Sequence, residues 1–419
     1  MKSTLFGVSA AIAICLLALL LRGPAAGVHV VGPASVRLSK SSSTAAADAA
    51  YAAPVDAIDA FAFRLARAVQ KQDPKGNMLI CPYSAFVAHS MLLAGATGET
   101  QRELQSALAV ADPVDAVHAK VHDLTASLTS NSSDEIRVAN AFYSMQPIDL
   151  DPAFLGTLRH DYAAEFFQLH GTDSDSLAKV NGWVRDKTAG MVPKLLDRLD
   201  PQTVCAIVNA SCFVGKWYEP FDPKNTKIEP FTLAGGTVVQ VPIMHLGETG
   251  MWHYKDDRVE AVKLGYRPGA FEMIVLLPAA HVDVSALLGS LDAERWRKIV
   301  GKYDGADVYL SMPKFAMDEK YDLIPALKSM GISRLFGGAE LSGMSASAQG
   351  LRVDKDVHAT HIEVDEKGTR AAGVTASLTC GPAPPVHFDL NRPFIYAIVE
   401  QKSNLVLFLG ICGDPRSKS

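Results

Sequence analysis

The sequence predicts an α+β fold with large, mostly antiparallel or mixed β-sheets in one domain over residues 55–415. The chain has 419 residues, of which 48% are hydrophobic and 20% charged, an ordinary composition for a globular protein. Helical patterns and apolar runs of strand length are interspersed without a regular βαβ alternation, which favours α+β over α/β. No internal repeat, linker or change of composition divides residues 55–415, so one domain is expected.

The first elements of this domain are predicted to be helices. Residues 55–72 carry apolar side chains at helical spacing, namely Ile58, Phe61, Leu65 and Val69. Residues 84–110 predict two further helices, because Gly95 and Gly98 interrupt the pattern and Thr97 is a suitable N-cap for the second.

The later apolar runs predict strands. They lie at residues 135–145, 203–215, 260–266, 271–278, 306–315 and 394–411. The turn at residues 267–270 predicts that the third and fourth runs form a hairpin. The last run is interrupted by the polar residues 400–404, which predict a second hairpin.

The N-terminus resembles a targeting segment. Lys2 precedes the apolar residues 5–21, and the small residues 23–27 suit cleavage, so residues 1–27 are predicted to be a signal peptide. A signal anchor is the alternative, since this length is at the lower limit for spanning a bilayer. The Ser/Ala-rich residues 28–54 are expected to form a flexible leader, and residues 416–419 a tail.

Charge and cysteine content exclude several classes of protein. The net charge is −5 and there is no block of Lys or Arg, so nucleic acid and an acidic surface are not expected as partners. Five cysteines remain after signal cleavage, an odd number. Cys205 and Cys212 are expected on opposite faces of one strand, so the chain is not a disulfide scaffold.

The sequence carries no common catalytic or nucleotide-binding signature, so an enzyme and a cofactor are not expected. Two histidines in an H-x-x-H pattern, His358 and His361, suggest a metal site at first sight. On a strand, however, a spacing of three residues sends the two rings to opposite faces, and no metal site is predicted.

Several motifs in a fixed order resemble the serpin family, and the resemblance covers nearly all of residues 55–415. They lie at residues 77–86, 180–196, 207–226, 309–336, 341–345 and 391–415. The third segment includes Trp217, where the family has a characteristic tryptophan. The resemblance implies a single-domain fold of three β-sheets surrounded by about nine helices, with an exposed reactive-centre loop at about residues 366–387.

A family loop of this kind is bait for a protease, and after cleavage it inserts as a strand into the main sheet. The hinge that starts the insertion would consist of Glu366, Lys367, Gly368, Thr369, Arg370, Ala371, Ala372 and Gly373. A buried strand face needs small, uncharged side chains. One alternating set meets this need: Thr369, Ala371, Gly373, Thr375 and Ser377. The opposite set holds the only charge, Arg370. A flexible Ala/Gly loop without function is the plain alternative.

The cleaved bond is predicted by family spacing to join Pro382 and Ala383. Proline before a scissile bond suits few serine proteases, so Leu378, Thr379, Cys380 and Gly381 stay as alternatives. No Lys or Arg lies between Ala371 and His387, which argues against a trypsin-like target. Cys380 is interpreted as a small loop residue, with a reactive thiol as the alternative.

The resemblance also implies sites that control insertion. The family's shutter beneath the main sheet maps to Ser84, Asn209 and His358, with Cys81 where the family usually has a serine. The breach maps to Trp217 and an ion pair between Lys314 and Glu366. The alternative for His358 is an ordinary strand histidine. The alternative for Lys314 and Glu366 is two separate solvated charges.

The predicted function is a secreted inhibitor that forms a covalent complex with a target serine protease. The target is expected to be elastase-like, subtilisin-like or chymotrypsin-like. Alternatives are a non-inhibitory carrier, chaperone or cleavable signal, and an inhibitor of cysteine proteases. A monomer is expected, without a heparin site or any membrane contact after signal cleavage. Asn131 is a predicted glycosylation site in a loop, whereas the Asn209 sequon is expected to be buried.

Overall fold

The computed structural model describes residues 42–131, 136–144, 148–169, 174–199, 205–302, 304–346, 351–369 and 384–416. The α-helices in these ranges are α1 Ser42–Gln70, α2 Pro82–Leu93, α3 Gly98–Ala107, α4 Val114–Asn131, α5 Pro152–Tyr162, α6 Ser174–Lys187, α7 Val284–Ser290, α8 Ala293–Gly301 and α9 Ile324–Ser329. The strands are β1 Met78–Ile80, β2 Ile136–Ser144, β3 Glu165–Gln168, β4 Cys205–Phe213, β5 Gly215–Trp217, β6 Lys227–Thr232, β7 Val238–Lys255, β8 Val259–Arg267, β9 Phe271–Pro278, β10 Asp304–Pro313, β11 Phe315–Asp322, β12 Val353–Val364, β13 Gly368–Thr369, β14 Val386–Asp389, β15 Phe394–Glu400 and β16 Val406–Cys412.

The N-terminal part of the domain differs from the prediction of a flexible leader over residues 28–54. Helix α1 begins at Ser42, so the second half of that leader is helical. Alanine has the highest helix propensity, and the alanine-rich run here continues directly into the amphipathic residues 55–70. The predicted signal peptide, residues 1–27, lies outside the described residues. Among the described helices, none is long and apolar enough to cross a membrane.

Helices α2 and α3 lie where the sequence predicts them. Thr97 occupies the N-cap position of α3, but its side chain does not cap the helix. The carboxylate of Glu340, from a distant loop, instead accepts hydrogen bonds from the backbone N–H groups of Glu99 and Thr100. The predicted capping role of Thr97 is therefore wrong, because tertiary structure supplies a stronger, charged acceptor.

The strands form a five-stranded sheet in the order β11-β12-β4-β2-β3 and an eleven-stranded sheet that contains the others. The resemblance predicts three sheets. Two are found in the described residues because β7 is 18 residues long and pairs with β6, β8 and β10, which joins two smaller sheets by hydrogen bonds. Both predicted hairpins, β8–β9 and β15–β16, are present.

The five-stranded sheet is covered on both faces. Ile207, Phe213 and Ile362 belong to the main core, on the side where α2 packs. On the opposite side Val208 and Ala210 pack with Val180 of α6 in a second apolar cluster. Side chains of a strand alternate between faces, so β4 contributes to both clusters. The sheet is therefore a buried central layer between α2 and α6.

Three cysteines are described with their side chains, and none of these three forms a disulfide. Cys81, Cys212 and Cys412 are buried and free. Burial raises the pKa of the Cys81 and Cys212 thiols to about 12 in each case, so both are unreactive at neutral pH. Cys380 lies outside the described residues.

Candidate functional site

The candidate site is built around the pair β12 and β4, which run parallel at the centre of the five-stranded sheet. Their register runs from Val353 opposite Cys205 to His361 opposite Cys212. Their outer neighbours, β11 and β2, are antiparallel to them. A strand that entered between β12 and β4, running opposite to both, would make antiparallel ladders on both of its edges. The chain reverses direction directly after β12, so the segment that follows has the required direction.

A buried polar network crosses this parallel pair at its middle. His358 of β12 and Asn209 of β4 are opposite each other in the register and are 0% and 1% exposed. The backbone N–H of Cys81 donates to His358 Nε2 over 2.9 Å. Nε2 is therefore the acceptor, so Nδ1 carries the proton of the neutral ring and donates to Asn209 Oδ1 over 2.5 Å. The histidine thus fastens β12 both to β4 and to the start of α2.

The pKa of His358 follows from this geometry. Burial, the largest cause, lowers the pKa of the ring to about 4. Protonation would also place a second N–H against the N–H of Cys81, with loss of that hydrogen bond. The ring is therefore neutral at physiological pH, and the network is intact only in that state.

The network continues into α2 and β2. Asn209 Nδ2 donates to Ser84 Oγ of α2 and to Asn140 Oδ1 of β2, the latter over 2.5 Å. The structure thus brings together the predicted residues Ser84, Asn209 and His358, and it adds Asn140. Cys81 participates through its backbone N–H. The bond to His358 therefore does not depend on which side chain stands at position 81.

A second polar pair, His89 and Asp356, connects α2 to β12 two residues before His358 on the strand. His89 Nε2 lies 2.8 Å from Asp356 Oδ2, and both side chains are almost fully buried. His89 Nδ1 donates to the Ala85 carbonyl over 2.7 Å. Burial lowers the pKa of His89, but Asp356 and the Ala85 carbonyl outweigh this effect and raise it above the usual value. Sequence analysis missed this pair, because its partners lie 267 residues apart.

At the end of β12 the chain forms a tight turn that docks against β5. Trp217 Nε1 donates to the Asp365 carbonyl over 2.9 Å, and the Trp217 N–H donates to the Lys367 carbonyl over 3.2 Å. Trp217 is 1% exposed and stacks on Tyr266, with ring centroids 4.5 Å apart. The predicted breach tryptophan therefore holds residues 365–367 through hydrogen bonds to two main-chain carbonyl groups.

The predicted breach ion pair is also present. Lys314 Nζ lies 2.7 Å from Glu366 Oε2, and Thr226 Oγ1 donates to Oε1 over 2.8 Å. Burial alone would raise the pKa of Glu366, but these two contacts outweigh it and lower the pKa below the usual range. Lys314 stands between β10 and β11, where the chain passes from one sheet to the other. The ion pair therefore joins the hinge to the junction of the two sheets.

Gly368 is required at the pivot for two reasons. Its φ is +132°, a conformation that side chains disfavour, and a Cβ here would lie 2.3 Å from the carbonyl oxygen of Gly215. The close approach lets β13 pair with β5 at Thr369 and Gly215. Residues 366–369 thus lie outside the five-stranded sheet, and this glycine sets their direction.

The rest of the predicted loop lies outside the described residues. This applies to the hinge positions Arg370, Ala371, Ala372 and Gly373, and to the cleavage candidates Leu378, Thr379, Cys380, Gly381, Pro382 and Ala383. The chain is described again from Pro384, and β14 pairs in parallel with β10. Residues 365–369 therefore lead from the five-stranded sheet to the larger one, to which β13 and β14 both belong.

Two other predicted positions have clear surroundings. His361 faces away from His358 and its Nδ1 lies 2.6 Å from Asp318 Oδ1, so the H-x-x-H residues are indeed on opposite faces. Asn131 is the last residue of α4, whereas a loop is predicted there, because the helical pattern extends up to the sequon. Its side chain is not described. Asn209 is buried, as expected.

Conformational protease inhibitors typically contain a mixed sheet with a parallel central pair of strands. The hinge of a long connecting segment docks at the end of one strand of that pair. The chain belongs to the serpin (serine protease inhibitor) family, whose family model matches residues 56–415. Serpins are protease inhibitors rather than enzymes and form covalent complexes with target proteases, although some relatives of this chain are non-inhibitory.

Curated relatives include an inhibitor whose name states its target. The chain is 31% identical to leukocyte elastase inhibitor of Equus caballus, over 85% of this chain and 97% of the relative. It is 33% identical to Iripin-2 of Ixodes ricinus, over 84% of this chain and 90% of the relative.

Solved structures confirm the fold. Mouse protein-Z dependent protease inhibitor matches with a TM-score of 0.81 and 26% identity, over 88% of this chain and 99% of that one. Human thyroxine-binding globulin in complex with its ligand matches with a TM-score of 0.80 and 26% identity, over 88% of this chain and 100% of that one. The fold thus occurs in proteins named for inhibition and in one named for ligand binding.

Proposed function

We propose that this serpin is secreted and inhibits a serine protease by a covalent, single-use trap, in which residues 369 to about 381 insert between β12 and β4. The observation that carries the proposal is the parallel β12–β4 pair, closed by the His358–Asn209 bond, with the hinge held outside the sheet at Glu366. A protease that cuts the loop would release its far end. The loop could then enter the sheet with the acyl-bound protease attached.

The two faces of β12 near the hinge support the alternation found in the loop. Ile362 and Val364 are buried on the side of α2, whereas Glu363 is exposed on the other side. The loop would enter beside these residues. Its small set, which includes Ala371, fits the buried side, and Arg370 fits the exposed side beside Glu363, because an unpaired buried charge is costly.

Insertion also replaces one ladder by two. The hydrogen bonds between β12 and β4 would be exchanged for bonds from each of them to the new strand. The contacts that oppose this exchange are the shutter bond of His358 and the breach pair of Lys314 and Glu366. We infer that these contacts hold the protein in the uninserted state until the loop is cut.

The loop sequence supports a target with an elastase-like, subtilisin-like or chymotrypsin-like pocket. No Lys or Arg lies between Ala371 and His387, and the relatives named leukocyte elastase inhibitor point in the same direction. The bond between Pro382 and Ala383 is the proposed scissile bond. Secretion is supported by the apolar residues 5–21, and N-terminal sequencing of the protein from the culture medium of expressing cells tests it.

The trap is tested by charge substitutions on the two sets of loop residues. Ala371→Arg puts a charge on the side that must be buried, so we expect cleavage by the target protease without a stable complex. Ala372→Arg is the matched control, one residue on and on the opposite side, and it should retain most of the trapping. Both loops should be cut at comparable rates. If Ala371→Arg traps the protease as well as Ala372→Arg does, insertion is refuted.

A further inference from the structure

The crossing of α4 and α5 carries a cluster of metal-binding side chains far from the hinge. Among the described residues, His122, His160 and Asp161 offer one ligand atom each, and these three atoms lie within 4.8 Å of one another. His122 lies on α4, whereas His160 and Asp161 lie in the last turn of α5. The cluster is therefore formed by tertiary packing, and no sequence motif predicts it.

The hydrogen bonds of the two histidines indicate which ring nitrogen each could offer to a metal ion. His122 Nδ1 lies 3.1 Å from the carbonyl oxygen of His160, which can only accept, so Nδ1 carries the proton. His160 Nδ1 lies 2.7 Å from Asp161 Oδ1, and an ionised carboxylate likewise only accepts. His122 is thus held through Nδ1 by a carbonyl and keeps Nε2 for a metal ion, which is the usual arrangement around bound zinc. His160 Nδ1 and Asp161 Oδ1 already face each other, so one ion could bind both atoms.

The rings of His122 and His160 also lie parallel to each other. They are stacked, with centroids 5.1 Å apart and an angle of 11° between their planes. Zinc binds histidine nitrogen and carboxylate oxygen at about 2.0–2.2 Å, so tetrahedral ligand atoms are about 3.3 Å apart. An ion lies in the plane of each imidazole that binds it, so at least one of the parallel rings would turn as the ligand atoms move from within 4.8 Å to that separation. The side chain of His160 is 79% exposed, which leaves room for water at the fourth position.

We propose that His122, His160 and Asp161 form a binding site for a divalent transition metal ion, with Zn²⁺ as the best-matched ion. Imidazole nitrogens favour zinc and its neighbours over magnesium and calcium, which prefer oxygen ligands alone. The ion would take the place of the proton between His160 Nδ1 and Asp161 Oδ1, and His122 would supply the third ligand atom. The metal would join the end of α5 to the middle of α4, next to the existing contact between His118 and Tyr162.

The site is tested by titration of Zn²⁺ into the full-length mature protein, produced without a polyhistidine tag and in a Cys380→Ser background. Isothermal titration calorimetry should give one ion per chain. His122→Ala and His160→Ala should each weaken binding by at least about tenfold, the lower end of the loss caused by removing even an outer-shell partner. His281→Ala is the matched control, because His281 is an exposed histidine away from the cluster, and its affinity should equal that of the parent.

Two further readouts separate a direct site from a structural effect. Cu²⁺ bound to the parent should show nitrogen coupling from two imidazoles in its electron paramagnetic resonance spectrum, and from one in either alanine variant. Without metal, the melting temperatures of all variants should agree, because the changed side chains are partly or fully exposed. No binding by the parent, or binding by His122→Ala or His160→Ala that is as tight as that of the parent, would overturn the proposal. Trapping of a protease is not involved in this test.

Discussion

Replacement of His358 by alanine should open the centre of the β12–β4 pair. The change leaves the Cys81 N–H and Asn209 Oδ1 without their partner in a buried site. Each buried, unsatisfied group costs about 1–3 kcal/mol, so we expect the free energy of unfolding to fall by about 2–6 kcal/mol. That is a large part of the ~5–15 kcal/mol typical of folded proteins.

His361→Ala is the matched control for this prediction. It removes a histidine from the same strand, but one that points to the opposite face and pairs with the exposed Asp318. Exposed pairs contribute about 0–1 kcal/mol, so the loss should be small. Urea unfolding at pH 7.5, followed by tryptophan fluorescence, measures both variants. Unfolding free energies of His358→Ala and His361→Ala that agree within error would refute the assigned role of the network.

The same residue gives a pH dependence of known sign. The pKa of His358 is lowered to about 4 in the folded state, against about 6.5 in an unfolded chain. The folded protein therefore binds fewer protons between these values, and stability falls as the pH is lowered from about 6.5 to about 4. The loss for a shift of this size is about 3 kcal/mol. The advantage of the parent over His358→Ala should shrink across this window, and a constant difference would contradict the assignment.

Three other substitutions test individual parts of the account. Burial raises the pKa of Asp59 to about 8, so as the pH rises the unfolded chain loses this proton before the folded protein does, and the parent becomes less stable. Asp59→Asn should therefore gain stability relative to the parent between about pH 4 and pH 8, as measured by urea unfolding. Asp356→Ala should cost about 3–5 kcal/mol, because it leaves His89 without its buried partner, and adding His89→Phe should recover most of the loss in the same assay. Glu366→Gln removes the ion pair with Lys314 and should increase the fraction of protein that becomes heat-resistant by spontaneous loop insertion at 37 °C; an unchanged fraction would argue against a restraining role.

Local sequence patterns predicted the elements that are regular and continuous. The β8–β9 and β15–β16 hairpins were predictable because two apolar runs flank a short polar turn in each case. The run at 306–315 was predicted to be one strand, but it divides at Pro313 into β10 and β11, which belong to different sheets. Strand β7 was missed because Pro242 and two glycines interrupt its alternation. Periodicity reports a strand, but it does not report which sheet the strand joins.

The candidate site was predictable only through family resemblance. Ser84, Asn209 and His358 are far apart in sequence, and only the register of β12 against β4 brings them together. Asn140 was missed, although an asparagine in the middle of an apolar strand is an available signal for a buried hydrogen-bonding role. The His89–Asp356 pair had no such signal, because each residue alone is compatible with a solvated surface.

The most direct test of the account is the fate of the protein when a protease cuts its loop. The mature protein would be mixed with elastase-like, subtilisin-like, chymotrypsin-like and trypsin-like enzymes, and each mixture analysed on a denaturing gel with mass spectrometry of the released C-terminal peptide. We predict a band at the summed mass with an enzyme of the first three classes, none with the trypsin-like enzyme, and a released peptide that begins at Ala383. Complete cleavage without a covalent band for every enzyme would contradict the trap and favour a carrier or a cleavable signal.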